Sequence, residues 1–509
     1  MKYPHFILIT LLIGLLSWSC QNSTQQRNAG IRMHYPYLQT NIAVINDAYR
    51  IAIGDLMTNV QIYKSGLLQR PSYVILAGLD YDRPWTRDAS VNAWNGASLI
   101  IPDVAKNTLL SVLKREHGQV RIGGQYWDCI VWATGAWHHY LVTGDKEFLR
   151  TAYKAVKNTL QHLEENEFDA RYHLFRGPGW SDGIAAYPDF YANTNGESGI
   201  LSWPRYNADK ISRPGYGIPM MALSTNCLYY NAYVVAQKMA DELAVKTDGR
   251  YLRKAAQLKT AINEHLRDEN LKTFKFFIDP YKNYDYQEAL GNAYAILFGI
   301  ADEGRRRLIF ANQYVAPAGV PCVWPNVPRY NRKDGMSFGR HSGTVWPQIQ
   351  GFWADAAARN GRVNIFSHEL FNLAQHARRD KQFAEIYHPI TGRIYGGLQE
   401  RGAQGIVLWR ATSRQTWAAT AFIRMIFMGL IGMRVDADGI RFQPCVPDDF
   451  DRIKLTRFRY RQIDIDIEIT GHGNKIAQIL PNGKPTKQAF IPNEAKLPQK
   501  IVIKMAKSL

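Results

Sequence analysis

The chain has 509 residues, of which 46% are hydrophobic and 21% are charged, as is ordinary for a soluble globular protein. This length is too great for one small domain and suits one large helical barrel with an accessory domain. The 62 basic and 44 acidic side chains give a net charge of +18. The basic residues are dispersed and form no patch of the kind that binds nucleic acid, so we expect no nucleic-acid partner.

The N-terminus has the pattern of an export signal. Lys2 precedes an apolar run from Phe6 to Leu16, and a site of small residues ends at Cys20. The arrangement resembles a bacterial lipoprotein signal, in which the cysteine is lipidated and becomes the new N-terminus, and the run is short for a transmembrane helix. We therefore expect a signal peptide over residues 1–20, lipidation at Cys20 and a polar tether over residues 21–36. The protein would be held in the cell envelope of a Gram-negative bacterium, in the periplasm or at the outer-membrane face, with the lipid anchor as its only membrane contact.

Apolar residues recur at helical spacing through most of the chain, from about Asn41 to Met433. Turn-forming Gly-Asp, Asp-Gly and Asn-Gly pairs separate several of the apolar segments. The pattern predicts twelve helices: Asn41–Tyr63, Arg87–Ile100, Asp103–Glu116, Trp127–Val142, Asp145–Asn166, Thr225–Leu243, Tyr251–Arg267, Tyr286–Gly299, Ala301–Asn312, Thr344–Asn360, Val363–Arg379 and Ser413–Met433.

The predicted helices are of two kinds. Every second one, from Trp127–Val142 onward, is apolar nearly all round, which is typical of a buried helix, whereas partners such as Asp145–Asn166 carry charges on one face. Buried helices that alternate with amphipathic ones over six pairs predict an inner ring inside an outer ring. We therefore expect an all-α (α/α)6 toroid over residues 37–433, with a superhelix of stacked helical hairpins as the alternative.

The connections into the inner helices are long and rich in Gly, Trp and Pro, and a double ring places all of them at one end, where function concentrates. They are Asp80–Thr86, His117–Tyr126, Arg176–Ser224, Leu271–Asp285, Gln313–Gly343 and Asp380–Thr412. After about Val435 the texture changes: isoleucines alternate with polar residues from Ile463 to Ile469, and Asn482-Gly483 is a typical hairpin turn. We expect a small β-rich domain over residues 434–509.

Four cysteines remain beyond the signal, and they lie far apart with no C-x-x-C pair, which leaves no zinc signature. They are Cys129, Cys227, Cys322 and Cys445. We expect buried free thiols, no metal site and no cofactor.

The loop Arg176–Gly183 is the first candidate for chemistry, because its two glycines and its proline predict a tight turn with Trp180 and Asp182 at its tip. The Trp180 ring lowers the local dielectric, so we expect Asp182 to keep its proton near neutral pH and to donate it to a leaving oxygen. The alternative is that Asp182 is only a turn former beside a core tryptophan.

The other long loops and the helix starts that follow them also combine charged groups with aromatic rings. Candidate sugar-binding residues there are Trp85, Arg87, Asp88, Trp127, Asp128, His341, Trp346 and Tyr387, and Trp180 joins them. Inverting glycoside hydrolysis needs two carboxyl groups across a cleft, one protonated and one ionised. The candidates on separate loops are Asp182 with either Glu385 or, as the alternative base, Glu400.

Several motifs, taken in order, resemble the six-hairpin glycosidases, the group that contains amylo-α-1,6-glucosidases of glycogen debranching, trehalases and glucoamylases. Pro84-Trp-Thr-Arg-Asp88 is similar to their substrate-binding Arg-Asp segment, and Trp180-Ser-Asp182 to their general-acid segment. His341-Ser-Gly-Thr-Val-Trp-Pro347 and Ser413-Arg-Gln-Thr-Trp417 match further segments of that group, and Glu385-Ile-Tyr387 resembles the segment that carries the general base.

The resemblance implies an exo-acting, inverting hydrolase of an oligosaccharide, with an α-glucosidic linkage favoured. Asp182 would protonate the glycosidic oxygen and Glu385 would deprotonate a water on the opposite face of the ring. Arg87, Asp88 and His341 would bind the hydroxyls of the terminal sugar. Two alternatives stay open, a glycoside phosphorylase that uses the Arg340 and His341 region to bind an anion, and a glycan-binding lipoprotein without activity.

Overall fold

A computed structural model describes residues 35–124, 126–192, 197–207, 218–486 and 490–506. The predicted signal peptide, Cys20 and all but the last two residues of the predicted tether lie outside these ranges. Within them, no helix is long and apolar enough to cross a membrane. Cys129, Cys227, Cys322 and Cys445 are buried and free.

All twelve predicted helices are present, with ends that differ from the predicted ones by a few residues. They are α1 (Ala43–Thr58), α2 (Thr86–Asn92, continued by a π-helical turn Ala93–Ala97 and by Ser98–Ile100), α3 (Pro102–Ser111), α4 (Trp127–Thr143), α5 (Lys146–Glu167), α6 (Leu223–Glu242), α7 (Arg250–His265), α8 (Ala289–Leu297), α9 (Glu303–Asn312), α10 (Pro347–Arg359), α11 (Val363–Asp380) and α12 (Thr416–Arg424, continued by π-helical Met425–Leu430).

The even-numbered helices form a closed inner ring. Each contacts the next around the ring, and α12 contacts α2, so the ring closes and the stacked superhelix does not apply. The outer helices pack on this ring; α1, for example, contacts both α11 and α12. Gly96 in the π-helical turn of α2 permits one close contact, because a Cβ there would lie 2.6 Å from the side chain of Ile423 on α12.

Local sequence explains why the helices end where they do. Gly144 stops α4 with φ 72°, a left-handed conformation that glycine adopts at little cost. Asp145 then begins α5, since its carboxylate accepts a hydrogen bond from the backbone N–H of Phe148 at 2.9 Å. The short turn between these helices keeps α5 antiparallel to α4 and places it in the outer ring.

Short antiparallel pairs of strands lie in the long connections, at the end of the barrel where the inner helices begin. These pairs are Val60–Tyr63 with Ser72–Ile75, Leu113–Glu116 with Gln119–Ile122, Phe168–Asp169 with Leu174–Phe175, Met221–Ala222 with Phe277–Ile278, Gln287–Glu288 with Val323–Trp324, and Leu398–Glu400 with Ile406–Leu408. The connection before α6 also contains two short helices, Asp189–Ala192 and Trp203–Tyr206. We call this end the mouth.

The C-terminal region forms the predicted β domain and packs on the opposite end of the barrel. A three-stranded sheet contains Met433–Asp436, Gly439–Phe442 and Phe490–Pro492, and a five-stranded sheet has the order Tyr37–Thr40, Arg452–Tyr460, Ile463–Thr470, Gln499–Met505 and Ile476–Pro481. Tyr37–Thr40 was expected in the barrel segment but pairs antiparallel with Arg452–Tyr460. The Tyr460 hydroxyl donates to the Leu141 carbonyl at 3.3 Å, near the last turn of α4, so this domain lies far from the mouth.

Candidate active site

A cavity of about 280 Å³ opens at the mouth, where the starts of several inner helices and their long connections converge. It is lined by Tyr81, Trp85, Arg87, Asp88, Trp180, Asp182, Gly183, Ser198, Gly199, Leu201, Arg340, His341, Trp346, Glu385, Gln399, Trp409 and Trp417. Both predicted catalytic carboxyl groups, Asp182 and Glu385, therefore face the same space. Six of the predicted sugar-binding residues line it with them.

The acid loop, Arg176–Gly183, is fixed from several sides. Gly177 has φ 133° and approaches the Tyr126 ring so closely that a Cβ would lie 2.5 Å from it, which explains the glycine. The Tyr187 hydroxyl donates to the Ser181 carbonyl at 2.7 Å. At the tip, the Asp182 side chain is 43% exposed and accepts an ion-paired hydrogen bond from Arg87 Nη2 at 3.1 Å. The carboxyl group is thus both held and open to the cavity.

The charge state of Asp182 differs from the expectation. Burial raises the pKa of Asp182, but the Arg87 guanidinium, the nearby His341 and hydrogen bonds together outweigh this effect and hold the pKa below its ordinary value. The low dielectric beside Trp180 favours the protonated form, whereas the Arg87 cation, which lies far away in the sequence, favours the carboxylate. At neutral pH Asp182 is therefore a carboxylate in this structure.

Glu385 also lines the cavity and is 3% exposed. Arg340 Nη2 donates to Glu385 Oε2 at 2.7 Å, and the backbone N–H of Thr412 donates to the same oxygen at 2.9 Å. Oε1 has no hydrogen-bond partner among the described residues. One oxygen is thus fixed by two donors while the other remains available to accept a proton from water.

Glu400, the alternative base, does not line the cavity. Its Oε1 accepts from Arg329 Nε at 2.8 Å and its Oε2 from the Tyr330 hydroxyl at 2.7 Å. Both oxygens are therefore occupied by protein donors. Its position supports a structural role for Glu400 and leaves Glu385 as the stronger candidate for the base.

Arg87 connects the acidic residues at the start of α2 and α4. Arg87 Nε lies 2.9 Å from Asp128 Oδ1, and Nη2 lies 3.0 Å from Asp128 Oδ2. Asp128 and Trp127 line a small adjoining pocket behind the cavity rather than the cavity itself. Burial raises the pKa of Asp88 to about 8, although Arg87 opposes this, so Asp88 is mainly protonated at neutral pH.

The remaining predicted residues, except Tyr387, form the walls of the cavity. His341 stacks on Trp346 with ring centroids 5.0 Å apart and meets Trp180 edge-on at 5.4 Å. Burial lowers the pKa of His341 to about 3, so its ring is neutral. Trp85, 37% exposed, lies at the rim of the cavity. Tyr387 is fully buried and outside the cavity, and its hydroxyl accepts from the backbone N–H of Ala384 at 3.0 Å beside Glu385.

Some lining residues were not among the predicted sugar contacts. Tyr81 and Arg340 lie in long connections that the sequence predicts at the mouth. Their neighbours Trp85 and His341 were predicted sugar contacts, and this proximity could have identified them. Leu201, Gln399 and Trp409 had no motif around them. They reach the cavity because the connection before α6 and the hairpin of Leu398–Glu400 and Ile406–Leu408 fold back over the mouth, and local sequence does not specify that.

Comparisons with sequence profiles identify the family of the chain. The sequence profile described as "Mannosylglycerate hydrolase MGH1-like glycoside hydrolase domain" matches residues 81–418, well over half of the chain. A second profile, "Glycosyl hydrolase family 65, C-terminal domain", matches residues 433–487. No curated protein matches the chain.

Several solved structures share the fold. The GH63 mannosylglycerate hydrolase from Thermus thermophilus, solved with glucose, is 14% identical with a TM-score of 0.55, over 74% of this chain and 100% of that chain. A protein described as a sialidase has a TM-score of 0.66 at 15% identity, over 94% of this chain and 45% of that chain. A GH78 rhamnosidase of Bacillus sp. GL1 has a TM-score of 0.57 at 15% identity, over 86% of this chain and 42% of that chain. The chain thus spans less than half of the sialidase and of the rhamnosidase, and at these identities the likeness shows the fold alone: a helical toroid followed by a β domain.

Proposed function

The chain belongs to the mannosylglycerate hydrolase MGH1-like glycoside hydrolases and is a glycoside hydrolase of the six-hairpin type, and we propose that it removes a terminal α-linked sugar with inversion. The observation that carries this proposal is the pair of carboxyl groups in one cavity. Asp182 faces the space with its side chain partly open, and Glu385 faces it with Oε2 fixed and Oε1 unpaired among the described residues. This division of roles is the one that an inverting hydrolase needs.

The reaction follows from these positions. Asp182, once protonated, gives its proton to the glycosidic oxygen, and the bond between that oxygen and the anomeric carbon breaks. Glu385 Oε1 takes a proton from a water, whose oxygen bonds to the anomeric carbon from the opposite face. The products are a sugar of inverted anomeric configuration and a free hydroxyl on the leaving group. Asp182 then regains a proton from solvent and Glu385 releases one.

The walls of the cavity support an exo mode. Buried Trp180, Trp346 and Trp417 pack edge-on against one another, with ring centroids 4.8 to 6.4 Å apart, and close the inner side of the space. The rim carries Trp85 and Trp409, whose flat faces suit a second ring. A cavity that is closed inside and open outside takes the end of a chain rather than its middle.

The sugar itself is the finer part of the proposal. The debranching-type motifs favour an α-glucoside, whereas the comparisons support six-hairpin glycosidases in general and not amylo-α-1,6-glucosidases specifically. A mannoside with an acidic leaving group is a second candidate substrate, since the Thermus thermophilus protein is described as a mannosylglycerate hydrolase. Arginines beside both rim tryptophans, with Arg401 5.7 Å from the Trp409 ring and Arg83 6.0 Å from the Trp85 ring, suit such an anionic group.

The site favours hydrolysis over phosphorolysis. Arg340, the cation that could hold a phosphate, is already bound to the Glu385 carboxylate, and that carboxylate would repel a phosphate anion. A reaction in which phosphate is itself the nucleophile needs no general base to deprotonate a water, so it would leave Glu385 without a catalytic role.

A panel of α-glucosides, α-mannosides and their glycerate-linked forms tests the proposal, with the released anomer followed by NMR. We expect turnover of at least one member without added phosphate and initial release of the inverted β-anomer. Release of the α-anomer would exclude the inverting mechanism, and a strict requirement for phosphate would make the enzyme a phosphorylase.

We also propose that the enzyme is anchored in the envelope through a lipid on Cys20, as the signal pattern indicates. Growth of the producing cells with labelled palmitate tests this. The full-length protein should take up label and fractionate with membranes. Cys20→Ala should abolish both, and unchanged labelling of that variant would contradict the proposal.

A further inference from the structure

The Arg87 guanidinium group contacts two carboxyl groups at the cavity, those of Asp128 and Asp182. Arg87 Nη2 donates hydrogen bonds to Asp128 at 3.0 Å and to Asp182 at 3.1 Å. Arg87 Nε also lies 2.9 Å from Asp128 Oδ1, an ion-pair contact without hydrogen-bond geometry. The Arg87 and Asp128 side chains are 10% and 8% exposed, whereas Asp182 is 43% exposed. Arg87 is therefore anchored on its buried side and has its weaker contact on the side of the cavity.

This arrangement raises a difficulty for the proposed reaction. A general acid must carry a proton when substrate is bound. The guanidinium contact is the largest of the effects that lower the pKa of Asp182, while burial alone would raise it. The proton therefore has to arrive after the contact between Arg87 and Asp182 has weakened.

We propose that Asp128 is a positioning residue that controls when Asp182 is protonated. Asp128 holds the Arg87 guanidinium from its buried side, and this contact allows the guanidinium to leave Asp182 when a sugar fills the cavity. The inference rests on the proposed role of Asp182 as the acid. On binding, the sugar hydroxyls replace Asp182 as acceptors for Arg87 Nη2. Asp182, now enclosed and without its cation, takes one proton from solvent and later passes it to the glycosidic oxygen.

The other ionisable groups around Asp182 and Arg87 do not supply the carboxylate that this step needs beside Arg87. Asp88 lies next to Arg87 on α2, and with a pKa of about 8 it is mainly neutral. His341, from the connection before α10, has a pKa near 3 and is neutral as well. Burial keeps the pKa of Tyr187, behind the loop, well above its ordinary value. Burial raises the pKa of Asp128, and Arg87 opposes this, so Asp128 is the carboxyl group that still pairs with Arg87 once Asp182 is protonated.

Substitution of Asp128 by Asn tests the proposal with two substrates, a glycoside with an alkyl leaving group and the corresponding glycosyl fluoride. Fluoride departs without a proton, so its release does not need a loaded acid. In Asp128→Asn the guanidinium stays on Asp182. We expect kcat/KM for the alkyl glycoside to fall by about 100-fold, within the range for loss of general acid catalysis. The basic limb of its pH profile should move to lower pH, and the fluoride should be hydrolysed within about threefold of the wild-type rate.

Two further variants separate the proton step from structural damage. Asp128→Glu keeps the charge and should restore the pH profile. Asp169→Asn breaks a similar buried pair, with Arg176 at 3.0 Å, outside the cavity, and should change neither the basic limb nor the ratio between the two substrates. An equal loss on both substrates with an unmoved basic limb in Asp128→Asn would overturn the proposal. Full activity of Asp182→Asn on the alkyl glycoside would instead overturn the proposed function, and the two failures are therefore distinct.

Discussion

Arg340 donates to Oε2 of Glu385 at 2.7 Å, and this contact fixes the orientation of the carboxylate that faces the cavity. The backbone N–H of Thr412 binds the same oxygen, so both donors leave Oε1 to the water. Arg340 is itself held by the Gly396 and Arg410 carbonyls, at 2.9 and 3.2 Å. The base thus depends on a cation that is anchored by carbonyl groups of the loop that carries Glu385.

Removal of this cation should slow the chemical step. In Arg340→Met, Glu385 loses one of the two donors that orient it, and misplacement of a catalytic group by about 1 Å costs on the order of 100-fold. We expect kcat to fall by about this factor, measured on the best substrate of the panel. Arg401→Met is the matched control on a substrate with an uncharged leaving group, since Arg401 also lies over the Trp409 ring, at 5.7 Å against 5.9 Å for Arg340, but is exposed and outside the cavity lining. A loss in the control as large as in Arg340→Met would assign the effect to Trp409.

Glu400→Gln should separate stability from catalysis. Glu400 accepts hydrogen bonds from Arg329 and Tyr330, and its loss of charge weakens a buried pair whose side chains are 12% and 13% exposed. We expect the free energy of unfolding to fall by roughly 1–3 kcal/mol, measured by denaturant titration, with kcat within about threefold of wild type. Glu385→Gln should lose about 100-fold or more in kcat. Because Glu385 also forms a buried pair, with Arg340, its stability should fall by a similar amount, so kcat is the measurement that distinguishes the two variants. If Glu400→Gln were the inactive variant, Glu400 would be the base.

Gly183 tests how closely the acid loop and the His341 ring must fit. A Cβ at Gly183 would lie 2.4 Å from the His341 ring, although φ is −88° and any residue can adopt this backbone. Gly183→Ala must therefore displace His341 or Asp182, and we expect kcat/KM to fall by about 10- to 100-fold. Gly199 also lines the cavity, but a Cβ there would meet only the Asp182 carbonyl, at 3.9 Å. Gly199→Ala should keep normal activity, and equal losses in both variants would contradict the steric explanation.

The sequence predicts the barrel well because apolar periodicity is a local signal. All twelve helices are confirmed, and helix α5 begins at the Asp145 cap that the turn indicated. The strand Tyr37–Thr40 was not predicted, because its partner Arg452–Tyr460 lies more than four hundred residues away. Pairing at such separation leaves no trace in a local pattern.

The site was predicted in part, for a similar reason. Asp182, Glu385, Arg87 and His341 share one cavity because each lies at the start of an inner helix or in the connection that leads into one, and the ring brings these connections together. Trp409 was missed because its position depends on how the hairpin around it folds over Arg340. The charge on Asp182 was predicted wrongly because an ion pair with Arg87, ninety-five positions earlier in the chain, decides it. Distances between loops, and hence charges, are fixed by the tertiary structure.

Glu288, at the start of α8, should make the stability of the barrel depend on pH. The residue is fully buried, its Oε2 accepts from the Ser224 N–H at 3.0 Å, and its Oε1 has no partner among the described residues. Burial raises the pKa of Glu288 to about 8, above the ordinary 4.5. The folded state therefore holds this proton more tightly than the unfolded state, so the stabilisation is complete below pH 4.5 and is lost as the pH rises through 8.

The neutral variant Glu288→Gln removes this dependence and retains the shape of the side chain. Between about pH 5 and pH 8.5, the free energy of unfolding of the wild type should fall relative to that of Glu288→Gln, by an amount on the order of 4 kcal/mol over the whole window. Thermal unfolding of both proteins in one buffer series measures the difference. Asp438→Asn is the control, since Asp438 is exposed and its hydrogen bond with Arg441, together with the charge of that arginine, lowers its pKa, so its contribution lies at acid pH. A constant gap between wild type and Glu288→Gln across the window would show that Glu288 is ionised in the folded protein, supported by donors that pack around α8.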